Sequence, residues 1–145
     1  MNRASVVSRF FALLIDLFFL GCVSALLIVA AAAGALIGSA GRPWGEMLST
    51  VQFLAPVIFL FKVFLFFFYF TYLTAGDERT IGKMLFGIKV VRRSDGAPPG
   101  TMRALVRTAG YIVSAVPFLM GFWMALLTGG RAGHDLIAGT MVVKE

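Results

Sequence analysis

An arginine and an aspartate seven positions apart, Arg9 and Asp16, stand in an otherwise apolar run, SRFFALLIDLFFL over residues 8–20. At 3.6 residues per turn they fall on nearly the same helical face, and at 1.5 Å per residue they lie about 10 Å apart along the axis. With Arg9 at the water boundary, Asp16 stands roughly a third of the way into a hydrocarbon layer about 30 Å thick. A carboxylate at that depth costs on the order of 3 kcal/mol on insertion scales, so it must face protein or water. Two chemistries fit. Asp16 is either an acceptor satisfied by a neighbouring helix, or an ion or proton site whose charge changes with water access. Arg9 reads most simply as an anchor at lipid phosphate.

Lys62 is a further charge inside an apolar span. Counted back from Ala75 it lies about 19 Å above the inner boundary, against about 10 Å for Asp16. Its side chain leans toward the helix amino terminus, away from Asp16. A direct pair therefore needs a tilted helix or a kink at Pro56, and snorkelling or another partner is the simpler fate. Near the carboxyl end, Asp135 suits a cap for a short helix at residues 136–138, and His134 is placed to tune a neighbouring carboxylate near neutral pH. The chain has one histidine and one cysteine, too few ligands for a metal cluster. No nucleophile stands at a recognisable spacing from His134. Gly82–Lys83 has the wrong order for a phosphate loop. No enzyme activity and no cofactor are expected.

These residues need helices to position them. The 145 residues are 59% hydrophobic and 14% charged, a composition that a soluble domain of this size cannot bury. The reading is an all-α integral membrane protein folding as one domain over residues 1–145. A retained first helix runs over about 9–37, too long for a signal peptide and interrupted by Asp16. Its far end carries Ala30, Gly34 and Gly38, a small-residue face suited to close helix packing. A tight loop follows, then a second helix over about 47–74, aromatic nearly all round and so lipid-facing. Cys22, in the first helix, reads as a small core-type residue.

The basic connection at 75–102 contrasts with the sparse first loop and sets the amino terminus and the connection in the cytoplasm. Within it, Asp77 or Thr80 caps a short helix to Phe86 that lays Ile81, Met84 and Leu85 toward the membrane. Lys83, Lys89, Arg92 and Arg93 are expected at anionic headgroups. The net charge of +6 reflects this orientation and not nucleic-acid binding. A third hydrophobic segment covers 103–128, either one span or a helix pair broken near Pro117. The tail, 129–145, repeats the β-rich pattern of the connection. The favoured reading pairs 87–92 with 139–144 as a small cytoplasmic β-pair.

In this order and spacing, SRFFALLID at 8–16, TIGKMLFGIKVV at 80–91, the Arg103 and Arg107 pair and GHDLIAGTMVV at 133–143 resemble the RDD family of bacterial membrane proteins. The resemblance spans nearly the whole chain. It makes Arg9 the family arginine, with Asp16 and Asp135 its two aspartates; Lys62 has no place in the pattern. It implies a multi-pass protein of the bacterial inner membrane acting in transport, with monovalent cation/proton exchange among the functions suggested. On that reading Asp16 carries the charge and Arg9, Asp135 and His134 border the pathway. Two or three helices enclose a pathway poorly, so a homo-oligomer or a membrane partner subunit is expected. The alternative is a non-transporting scaffold that binds a partner or lipid through the basic connection.

Overall fold

The computed structural model describes residues 3–115 and 133–144. Two long helices dominate it: α1, Val6–Gly38, and α2, Trp44–Ala75. Both are long and apolar enough to cross a membrane, and only 22% and 11% of their most apolar windows are buried. Core helices of a soluble protein would be covered by their neighbours; these expose Phe18, Leu26, Phe53, Leu60 and Phe64. α2 continues through Pro56 without interruption.

The rest of the described chain is short elements. α3 is Ile81–Leu85, β1 is Ile88–Arg92, α4 is Thr101–Ala115, α5 is Gly133–Ile137 and β2 is Thr140–Lys144. β1 and β2 form an antiparallel pair in which Ile88 faces Lys144 and Arg92 faces Thr140. This is the pairing expected from the two β-rich segments. The sequence reading missed a third participant. Arg3 bridges to Val143, and the Ala4 N–H donates to the Val142 carbonyl at 3.1 Å. The small apolar core under the ladder is Ala4, Ala12, Ile88, Val90 and Val142.

The chain divides into two compact units. One comprises Met1–Asp16 and Phe67–Glu145, and the other Leu17–Phe66. The second unit contains the far part of α1, the loop and most of α2. One expectation fails there: Cys22 is exposed, because it falls on the outward face of α1. At Gly34 and Gly38 no described residue lies within 4 Å of where a Cβ would stand, so this part of the small-residue face is open within the chain. The expected break near Pro117 lies outside the described residues.

A hydrogen-bonded ladder cannot form across hydrocarbon, where no edge can be left open. Ala4, β1 and β2, joined in one ladder, therefore lie on the same side of any membrane that the long helices span. In a Cys22→Ser background, cysteines at Ser5, Ser94 and Lys144 should react with an impermeant thiol reagent from one side only. A cysteine at Arg42 should react from the opposite side. Labelling of Lys144→Cys and Ser94→Cys from different sides would refute the arrangement.

Candidate functional site

Asp16 is 1% exposed and its carboxylate accepts three hydrogen bonds. Tyr69 Oη on α2 donates to Oδ1 at 2.8 Å, Thr80 Oγ1 to Oδ2 at 2.6 Å, and the Gly82 N–H to Oδ1 at 2.7 Å. The Gly82 N–H is one of the donors that the start of α3 leaves without an intrahelical acceptor. Thr80 occupies the cap position of α3 but makes no side-chain capping bond itself. Its hydroxyl is turned to Asp16, so the carboxylate of α1 caps α3 from outside the helix. Tyr69 closes the arrangement: its oxygen donates to Asp16 and accepts from the Ile81 N–H at 3.1 Å.

Gly82 explains how α3 comes this close. A Cβ built on it would stand 1.9 Å from the Ala12 carbonyl oxygen, closer than any real contact. Only glycine lets the backbone of α3 lie against α1 one turn before Asp16. The glycine of the TIGK segment is thus a packing requirement.

A second cluster surrounds Asp135, which is 3% exposed. Arg9 Nη1 donates to Oδ2 at 3.2 Å, and Arg107 Nη1 to Oδ1 in a very short contact. Arg9 Nη2 also donates to the Val142 carbonyl at 3.1 Å, and Arg107 Nη1 to Thr140 Oγ1 at 2.9 Å. One carboxylate therefore ties α1, α4 and β2 together. This corrects the expectation of a helix cap: α5 begins at Gly133, and Asp135 lies inside it with its oxygens given to arginines. His134 sits beside it in α5.

Lys83 also departs from its expected place at the headgroups. It is 6% exposed, and its ammonium donates to Thr74 Oγ1 at 3.0 Å. The close approach imposed by Gly82 carries its neighbour inward. Burial lowers the Lys83 pKa to about 7; Arg107 adds to the fall, while Asp16 and Asp135 oppose it. Lys89, Arg92 and Arg93 lie on β1 and the turn after it. Arg92 pairs with Asp95 at 3.0 Å and Arg93 is exposed. Lys62 belongs to the other unit, where it lines an apolar cleft with Leu17, Leu20, Ser24 and Ile28.

Between the two clusters is a cavity of about 30 Å³, bordered by Arg9, Asp16, Lys83, Arg107 and Tyr111. It has room for one or two water-sized occupants. Among the described residues no group of three or more histidine, cysteine or acidic side chains stands ready for a metal.

The structure brings Arg9 and Asp135 into contact and gives Asp16 a separate set of partners. Arg107 is the residue that sequence reasoning left outside the site. A signal was available, since a basic residue within an apolar block needs a counter-charge, and Asp135 and Glu145 are the only carboxylates after Asp95. Tyr69, Thr74 and Thr80 carried no such signal, because neutral polar residues near span ends are common. A model of the RDD family matches residues 3–139. No curated protein and no solved structure matches the chain.

Two outcomes follow for the folded protein in detergent. Gly82→Ala should lower stability by about 2–3 kcal/mol, because backbone and not a flexible side chain must give way. Tyr69→Phe, which removes one donor and one acceptor, should cost about 1–3 kcal/mol. A Gly82→Ala melting curve matching wild type would refute the contact. The second outcome concerns pH. Folded Lys83 releases its proton near pH 7, while the unfolded lysine holds it to about 10.4. The unfolded state then binds more protons between these values, so stability should rise with pH across that window. Lys83→Met should flatten the rise; an unchanged slope would remove Lys83 as its source.

Proposed function

The chain belongs to the RDD family, and from that premise we propose that it exchanges monovalent cations for protons across the bacterial inner membrane. The observation that carries this reading is the cavity bordered by Asp16, Lys83, Arg9 and Arg107. Ionisable groups grouped inside a membrane protein mark ion pathways and proton relays more often than scaffolding. Asp16, held by its three donors, supplies the carboxylate that an entering cation would meet. Lys83 supplies the exchangeable proton. When the ammonium is charged, it occupies the electrostatic place beside Asp16 that a cation would take; when it releases its proton, that place opens. Proton and cation then compete for one cavity, which is the requirement for obligatory exchange. The transported ion is a monovalent cation small enough for a space of about 30 Å³.

Two helices do not by themselves enclose a pathway, and much of their apolar surface is exposed. We propose that copies of the chain associate through the uncovered faces of α1 and α2. A second reading, a non-transporting scaffold, is favoured by one observation: the three bonds to Asp16 make it an effective structural clasp.

The test is flux in proteoliposomes with an imposed pH gradient and sodium, potassium or lithium. Wild type should exchange at least one of these for protons, with a rate that titrates near neutral pH. Lys83→Met should abolish that titration while the protein still elutes as a folded species. Asp16→Asn should reduce flux at least tenfold. Absence of flux with all three cations, or flux and titration unchanged in Lys83→Met, would overturn the proposal in favour of the scaffold.

A further inference from the structure

Two recesses on the unit formed by Met1–Asp16 and Phe67–Glu145 meet at Gly139 and Leu136. The first is small and basic, lined by Arg3, Arg9, Arg93 and Thr140 among others. The second is an apolar groove between α4 and α5, formed by Met102, Val106, Leu136 and Ile137, with Arg103 at its border. We propose that these form one binding site for an anionic phospholipid, with phosphate among Arg3, Arg93 and Arg103 and an acyl chain in the groove.

Four observations carry this beyond a general attraction of basic loops to membranes. The groove has a volume of ≈ 380 Å³, within the range of about 300–1,000 Å³ typical of ligand clefts. Its walls are open: Met102 is 75% exposed and Ile137 67%. The arginines are positioned by backbone and not only by proximity in sequence. The Arg93 N–H donates to the Gly139 carbonyl at 3.1 Å, and Arg3 bridges to Val143 on β2. Arg103 Nη1 lies 3.7 Å from where a Cβ on Gly139 would stand, so its guanidinium hangs over the junction.

Gly139 therefore has two roles. Its φ of +62° turns the chain from α5 into β2, a conformation glycine adopts without strain. Its missing side chain also leaves the basic recess continuous with the groove. Asp135 borders the basic recess as well, but its oxygens are engaged by Arg9 and Arg107. The sign of the site is positive. A soluble phosphate would use the arginines and leave the groove bare; an apolar peptide would use the groove and leave the arginines bare. A phospholipid with net negative charge uses both.

This site shares Arg9 with the exchange cavity, but the arginines assigned to phosphate, Arg3, Arg93 and Arg103, do not border that cavity. The full chain in neutral detergent would be titrated with phosphatidylglycerol, phosphatidylcholine or inorganic phosphate, reading thermal stability and lipid retention by native mass spectrometry. Phosphatidylglycerol should bind at least tenfold more tightly than phosphatidylcholine, with one lipid retained per chain. The double variant Arg93→Gln/Arg103→Gln should lose about tenfold or more of that affinity, as should Ile137→Asn, while Arg42→Gln should match wild type. Equal binding of the two lipids, full retention in the double variant, or inorganic phosphate stabilising as strongly as the lipid would each overturn the assignment. Because retention is read without flux, failure of the exchange reading leaves this test intact.

Discussion

The structure depends on a buried carboxylate capping a helix that is not its own. Asp16 accepts from a tyrosine of α2, a threonine before α3 and the backbone of α3 itself. An ionised carboxylate taken out of water must recover its lost solvation from donors, or else neutralise. Here the donors include a helix start, where partial positive charge is already gathered. The same bonds fix where α3 lies, and α3 fixes where Lys83 is buried and where β1 begins. One carboxylate thus sets the position of three neighbouring features.

The Asp135 cluster answers the same problem with charge. Two arginines on one aspartate leave surplus positive charge, spread over the Val142 carbonyl and the Thr140 hydroxyl. Such a cluster is costly to assemble, since each buried ion forfeits several kcal/mol of hydration. It is costlier still to break, because removing the aspartate leaves two guanidiniums without a counter-charge. Its value is in specifying which elements meet, since it joins α1, α4 and α5 and reaches β2 through the two arginines.

Much of this was legible in the residues. Apolar length gave α1 and α2 within a few positions at each end, and the repeated β-rich pattern of IKVVR and TMVVK gave the strand pair. Arg9, Asp16 and Asp135 stood out because a charge in an apolar setting is expensive and asks for a partner. The identity of the partners was less legible. Helical periodicity put Arg9 and Asp16 on one stripe, but it carries no information about what approaches that stripe from residues 69–82 or 135–142. Lys83 was misplaced because its neighbours in sequence suggest a solvated basic loop; only the absence of a Cβ at Gly82 carries it inside. A glycine's close approach to another backbone is invisible until both backbones are in place.

The partners of Asp16 lie 53 to 66 positions away, whereas Asp135 lies 126 positions from Arg9. A ribosome delivers the chain in that order. The Asp16 clasp can close as soon as α3 emerges, while Arg9 and later Arg107 await a carboxylate made near the end of synthesis. Both long helices are therefore synthesised before the arginine cluster can form. The contacts of Asp16 can thus form early, and those of Asp135 only once the tail has been made.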